Sequence, residues 1–175
     1  MADTAVIEIP AVGLPEFAEL VRANQGMVFS IAYHFLRDRG VAEEIAQDVF
    51  LQLYRHMHSL VSESHVSAWL CKVTSHRCID HARRRRKELA LDEIPEPASE
   101  SSSRDPILAR RLQRMVASLP PKARIVVVLR YQEDLEPEEI AGILGWRLNT
   151  VKSQLYRSLK MLRQKFDRTS EEGSL

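Results

Sequence analysis

The chain is short of the residues that mark secreted, membrane-spanning or nucleotide-hydrolysing proteins. Its 175 residues include two cysteines, Cys71 and Cys78. Two are too few for a disulfide framework and suit a reducing, cytoplasmic compartment. Nowhere do the roughly 18 consecutive apolar residues of a membrane span occur, so membrane insertion is not expected. The first ten residues carry Asp3 and Glu8 without a basic flank, so a secretory leader is not expected either. The six glycines form no phosphate-cradling loop. Aromatic residues make up only 6 % of a chain that is 45 % hydrophobic. A core must therefore rest on Leu, Ile, Val and Ala, which favours helices.

Net charge is also nearly absent, at +1, and that balance conceals segregation. Lys72 to Lys87 holds seven basic residues against Asp80 alone. Glu88 to Pro106 holds six acids against Arg104. Leu148 to Arg168 holds six basic residues against Asp167. Two basic stretches separated by an acidic one suit a chain that grips a polyanion at two places.

Apolar spacing of three and four predicts helices from Leu14 to about Lys87. The first carries Phe17, Leu20, Val21, Met27, Val28, Ile31 and Phe35. A break at Arg37-Asp38-Arg39-Gly40 follows, with Gly40 as the expected left-handed cap. Val41, Ile45, Val49 and Leu53 mark a second helix ending near His58. Ser59 to His65 reads as a loop. A third helix is expected from about Val66 through Trp69, which is read as core, into Arg83-Arg84-Arg85-Arg86. Residues 88–106 hold three prolines and four serines without a steady period, and read as a flexible linker. The expected architecture is all-α: two small helical domains, residues 14–87 and 107–168, joined by that linker.

In the second domain, Leu108, Leu112, Met115, Val116 and Leu119 mark one helix, and Pro121 opens the next. Ile125 to Leu129 is β-branched enough to pass for a strand. It is read as helix, because Ala123, Leu129 and Tyr131 extend a helical segment and no partner strand exists. Pro137 then opens a short helix that Gly145 closes. Asn149-Thr150 is expected to cap a longer helix with Val151, Leu155, Leu159, Leu162 and Phe166 on one stripe. Its other face carries Lys152, Ser153, Tyr156, Arg157 and Lys160. A short helix, a glycine turn and a second helix with a basic face form a helix-turn-helix, whose second helix can enter a DNA major groove.

Catalysis is not expected. Glu43-Glu44 and Glu138-Glu139 sit at helix starts, where carboxylates complement the dipole. Cys71, Cys78 and His81, with His76 nearby, are spaced more widely than the ligand pairs of metal sites. They read as core and surface, so no metal, cofactor or small-molecule substrate is expected. On these residues alone, a stand-alone DNA-binding regulator and a protein-interaction module remain open beside a polymerase-dependent factor.

Two blocks narrow the choice. Val41-Ala42-Glu43-Glu44-Ile45-Ala46-Gln47-Asp48-Val49-Phe50, then Ala68-Trp69-Leu70 through Ile79-Asp80-His81-Ala82-Arg83-Arg84-Arg85, form the first. Leu119-Pro120-Pro121-Lys122-Ala123-Arg124, Glu138 to Gly145, and Asn149-Thr150-Val151-Lys152-Ser153-Gln154-Leu155-Tyr156-Arg157 form the second. In this order, across a Pro/Ser/Glu linker, they resemble the extracytoplasmic-function group of bacterial sigma factors. The resemblance implies a transcription initiation factor with core RNA polymerase, promoter DNA and an anti-sigma factor as partners. It implies that Glu44, Gln47, Asp48 and Phe50 face the polymerase. Ser62, Glu63, Ser64, His65, Arg77, Asp80, Arg83, Arg84 and Arg85 would meet the minus-10 element. Arg130, Asn149, Thr150, Lys152, Ser153, Tyr156 and Arg157 would meet the minus-35 element. The family often has Gly at 149 and Arg at 154, and Gln154 removes one expected phosphate contact. Glu136 stands where Ser usually caps, and Arg147 where Pro is common.

Overall fold

The computed structural model describes residues 16–89 and 106–172, and every described element is helical. The linker expected between the domains lies almost wholly outside the described residues.

The first half is a three-helix unit: α1 (Phe17–Leu36), α2 (Arg39–His56) and α3 (Glu63–Leu89), with a short 3-10 turn at Met57–Ser59 before α3. Val28, Ile31, Ala32 and Phe35 of α1 are buried at helical spacing against Ala42, Ile45, Val49 and Leu53 of α2. Val66, Leu70, Cys71, Cys78 and Ile79 of α3 close the core. Each Val, Leu, Ile or Phe among them contributes about 1.5–3 kcal/mol when fully buried. The polar exceptions are matched. Asn24 donates to the Leu20 carbonyl (2.8 Å) and accepts from Ser67 Oγ (2.8 Å), which ties α1 to α3. Thr74 and Ser75 bond back to the Leu70 and Cys71 carbonyls, each at 2.7 Å.

Three expected boundaries move. The left-handed cap of α1 is Arg37 (φ 59°), not Gly40. Asp38 already caps α2 by accepting from the Val41 amide at 3.1 Å, so Gly40 falls inside the first turn of α2. The Arg37 guanidinium lies over the Tyr33 ring at 4.9 Å, packing that goes with a backbone conformation unusual for a non-glycine residue. Next, Glu63, Ser64 and His65 belong to the first turn of α3 rather than to a loop. Ser62 caps that turn, its Oγ accepting from His65 N–H (3.2 Å) and its carbonyl from Val66 N–H (3.0 Å).

The second half comprises α4 (Pro106–Ala117), α5 (Pro121–Tyr131), α6 (Pro137–Leu144) and α7 (Leu148–Glu172). Ile125 to Leu129 is helical as expected, and all five residues are buried. The third moved boundary is the start of α7. Asn149 and Thr150 lie within its first turn, and the Arg147 carbonyl accepts from Thr150 N–H (2.8 Å) and Val151 N–H (3.2 Å).

The halves are packed together through one continuous apolar cluster. It joins Ile125, Val126, Val128 and Leu129 of α5, and Ile140 and Leu144 of α6, to the cores of α1 and α3. Arg124 fastens the seam. Its guanidinium donates to the Phe35 carbonyl at the C-terminal end of α1 (3.2 Å), and to the Leu119 (3.0 Å) and Ala117 carbonyls. It also lies over the Phe35 ring at 4.9 Å. A cation suits this place because helix ends leave carbonyls unsatisfied and carry partial negative charge. Ser30 Oγ donates to Glu133 Oε1 at 2.6 Å across the same seam.

Candidate nucleic-acid interface

The helix-turn-helix is built as its spacing implies. Pro137 occupies the first turn of α6, and Glu136 and Glu139 form a reciprocal capping box. Glu139 accepts from the Glu136 amide at 2.7 Å. Glutamate thus does the work of the family's usual serine. Gly145 closes α6 with φ at 68°, and Trp146 N–H reaches the Ala141 carbonyl at 3.0 Å. Ile140, Ala141, Leu144 and Val151 are buried between α6 and α7 and fix their angle. Lys152 Nζ lies 3.1 Å from Glu138 Oε1 and links the two surfaces. That hydrogen bond, before any other cause, holds the Glu138 carboxyl below its ordinary value.

On the outer face of α7, Asn149, Thr150, Lys152, Tyr156 and Arg157 are exposed, and Tyr156 keeps 70 % of its surface. Ser153 is half-buried; its Oγ donates to the Thr150 carbonyl (3.0 Å) and accepts from Arg157 Nη2 (3.3 Å). The guanidinium is thereby aimed along the open face. The inward stripe differs from its expected course. Ser158 is fully buried, donating to the Gln154 carbonyl, whereas Leu159 and Phe166 are 47 % and 44 % exposed. Arg130 stands apart from this face. Its Nη2 lies 3.2 Å from Glu136, its Nη1 3.7 Å from Asp134, and its side chain is mostly covered.

Every residue expected at the minus-10 element lies on the cap and body of α3, which brings them onto one element but not into one cluster. Ser62 to His65 are exposed at its start. Asp80, Arg83 and Arg84 are exposed near its end, whereas Arg77 and Arg85 are half-buried, Arg77 against the Gln52 amide. Trp69 is half-buried with its ring 5.8 Å from that of His56, as a core residue at the edge. Cys71 and Cys78 are unpaired and buried. Burial pushes both thiols up to about 12, with the Glu133 carboxylate adding to the shift of Cys71. These are inert core thiols rather than nucleophiles.

The residues expected to face the polymerase lie on α2. Glu44, Gln47 and Asp48 are exposed and share one face through their three- and four-residue spacing. Phe50 is half-buried at its edge. The structure adds Leu51, 57 % exposed, and Tyr54, 64 % exposed with its ring edge-on to Phe17 at 5.3 Å. Leu51 lies three residues beyond Asp48 and Tyr54 a further three, so the signal was their apolar character on a polar face.

Comparison with known proteins places both blocks. A family model described as Sigma-70 region 2 matches residues 20–88, and one described as Sigma-70, region 4 matches residues 109–162. The ECF RNA polymerase sigma factor SigE of Mycolicibacterium smegmatis is 31 % identical over 168 residues, 91 % of this chain and 65 % of that protein. The chain thus spans just under two thirds of that relative's length. The ECF RNA polymerase sigma factor SigW of Bacillus subtilis is 28 % identical, covering 85 % of this chain and 87 % of its own. Among solved structures, the sigma factor RpoE of Bartonella quintana, in complex with the anti-sigma factor NepR, shares the fold. Its TM-score is 0.73 at 18 % identity, over 88 % of this chain and 98 % of that one. CnrH, in complex with the cytosolic domain of CnrY, has a TM-score of 0.63 at 20 % identity, over 87 % of this chain and 88 % of that one.

Proposed function

The chain belongs to the extracytoplasmic-function group of the sigma-70 family, and from that premise we propose that it binds core RNA polymerase and directs it to specific promoters for transcription initiation. One observation carries the reading beyond the family: α7 leaves Thr150, Lys152, Tyr156 and Arg157 exposed on one helix whose angle is locked by α6. The mechanism is binding, not chemistry. Residues 14–87 form the polymerase and minus-10 domain. The α2 face around Glu44, Gln47, Asp48 and Phe50 meets the polymerase. Ser62 to His65, Arg77, Asp80 and Arg83 to Arg85 hold unpaired minus-10 bases and their phosphates.

Residues 107–168 form the minus-35 domain. The first turns of α7 enter the major groove, with Asn149, Thr150 and Ser153 short enough to permit close approach. Lys152 and Arg157 reach phosphates or guanine edges. Arg130 reaches the DNA backbone only by exchanging Glu136 for a phosphate. Two weak sites tethered on one polymerase raise each other's effective concentration. The solved neighbours RpoE and CnrH carry NepR and CnrY, and an anti-sigma factor of that kind covers the same surfaces here. Among the described residues no helix is long and apolar enough to cross a membrane, and the protein works in the cytoplasm beside polymerase and chromosome.

The test is transcription from a library of promoter fragments with purified core polymerase. Protein-dependent starts that share an upstream two-element motif are expected. No such starts, together with tight duplex binding in the absence of polymerase, would instead establish a stand-alone regulator. Within that assay Arg157→Ala should lower output from minus-35-dependent promoters by about tenfold or more, at ~1–3 kcal/mol per lost base contact, with core binding intact.

A further inference from the structure

Cations from three helices converge where the two halves meet. Arg83 and Arg86 of α3, Lys122 of α5, and Gln154, Arg157 and Ser158 of α7 line a cleft of about 450 Å³. Among the described residues no carboxylate lines it. Three cations elsewhere are paired: Arg39 with Glu43 at 2.9 Å, Arg130 with Glu136 at 3.2 Å and Lys152 with Glu138 at 3.1 Å. Among the described residues, none of the four cleft cations has an ion pair. Arg157 has only the Ser153 hydroxyl, and Lys122 the Trp146 ring at 5.6 Å. Pro120 and Pro121, at the start of α5, form part of the same wall, and that helix has no side-chain cap. Its positive end and first amide groups therefore add to the field there.

We propose that this cleft is a binding site for a short chain of linked phosphates, presented either as inorganic oligophosphate or as the phosphate arm of a nucleotide. Four cations without an ion pair among the described residues match the roughly four to five negative charges of a triphosphate-length chain. The volume lies within the ~300–1,000 Å³ range of small-ligand sites. A duplex, whose major groove alone is ~12 Å wide, is too broad to enter. A ligand here ties α3 to α5 and α7 and so favours the packed arrangement of the halves. That arrangement is incompatible with two-element promoter engagement. Elements named minus-10 and minus-35 lie about 25 base pairs apart, ~85 Å at ~3.4 Å per pair, whereas Arg83 and Arg157 here line one cleft. Occupancy and promoter binding therefore oppose each other.

The test needs neither polymerase nor DNA, so it stands or falls apart from the promoter reading. The full chain is titrated calorimetrically with tripolyphosphate, orthophosphate and a nucleoside triphosphate at ~0.15 M salt, where diffuse surface attraction is screened within ~8 Å. One tripolyphosphate per chain is expected, with orthophosphate far weaker. Lys122→Ala, in the cleft wall, should weaken it by about tenfold or more. Arg84→Ala, exposed on the same arginine run but outside the cleft, should change it less than about twofold. A nucleotide binding equally would identify the phosphate chain as the whole determinant; one binding about tenfold tighter would add the nucleoside. Equal weakening by both variants, several ligands per chain, or no binding by ~1 mM would overturn the site. Labelling of the buried thiols Cys71 and Cys78 should slow when tripolyphosphate is bound. An unchanged rate with binding intact would overturn the link to closure.

Discussion

α5 and α7 belong to the same half of the chain and are buried in opposite ways. α5 hides Ala123 and all of Ile125 to Leu129 within eleven residues. α7 runs for 25 residues, and among its described side chains only Val151 and Ser158 are buried. A helix apolar on one stripe has one partner and leaves a face for a ligand; a helix apolar on all sides must be covered on all sides. α5 meets α6 and α7 on one side and α1 and α3 on the other. α7 keeps its basic face open. The helix that binds and the helix that couples the halves are thus separate elements, distinguishable by how much of their circumference is apolar.

The largest test of that contrast is Leu129→Ala, at a fully buried position of α5 shared with α1 and α3. A cavity there should cost about 2–5 kcal/mol of unfolding free energy. Leu159→Ala on α7, 47 % exposed, should stay within ~0.5 kcal/mol. Denaturant unfolding of the two variants checks both numbers, and similar costs would dissolve the distinction. Next comes Arg124→Ala, which leaves the Phe35, Ala117 and Leu119 carbonyls without their donor. An unsatisfied buried acceptor costs ~1–3 kcal/mol, so a loss of about 2 kcal/mol is expected. Because Arg124 bridges the seam, thiol labelling of Cys71 should also quicken. A stability loss without faster labelling would make Arg124 a staple within its own half, between α4 and α5.

Much of this was legible in the sequence, for identifiable reasons. Gly145 announced its turn because only a residue tolerant of positive φ fits between two helices so close together. The basic residues of α7 and the end of α3 announced themselves by excess charge. What escaped was the packing of one half on the other, although its signal was present. Five consecutive apolar residues from Ile125 pose first the choice of helix against strand. Once helix is chosen, five in a row leave no polar face, and a second partner follows. The mistaken boundaries have another origin. Asp38 and Gly40 both qualify to punctuate a chain, and side-chain capping by Asp38 put the break at Arg37. Ser62 likewise won the start of α3, which turned an expected loop into a helical turn that still exposes Glu63, Ser64 and His65. The resemblance implies a DNA contact for Arg130, and the fold sets Glu136 within 3.2 Å of it, a pairing across six residues that spacing alone does not reveal.

Gly145→Ala should cost about 1–2 kcal/mol, the penalty of left-handed backbone for an L side chain. A Cβ there meets nothing within 4 Å, so the whole cost is conformational rather than steric. α5 is untouched by the change. A melting-temperature drop accompanied by weaker duplex binding, with thiol labelling of Cys71 unchanged, would show that the α6–α7 angle serves recognition and not the seam.

The smallest effect belongs to the pair that braces α7, Glu138 with Lys152. Its carboxyl is held below the ordinary value of 4.5, chiefly by the Lys152 hydrogen bond. A group whose folded value is depressed stabilises the fold above its unfolded value, and that contribution disappears as pH falls through the depressed one. The pair is exposed to solvent, so salt screens it as well. Glu138→Gln should therefore be slightly less stable than the parent at pH 7. The gap should close progressively below about pH 4.5 and also shrink with added salt. Unfolding midpoints measured across that range decide the matter. A gap that persists at low pH would mean Glu138 acts through its shape in the first turn of α6 rather than through its charge. Lys152 would then be as available to phosphate in the parent as in the variant, and the open face of α7 would carry one cation more than the ion pair implies.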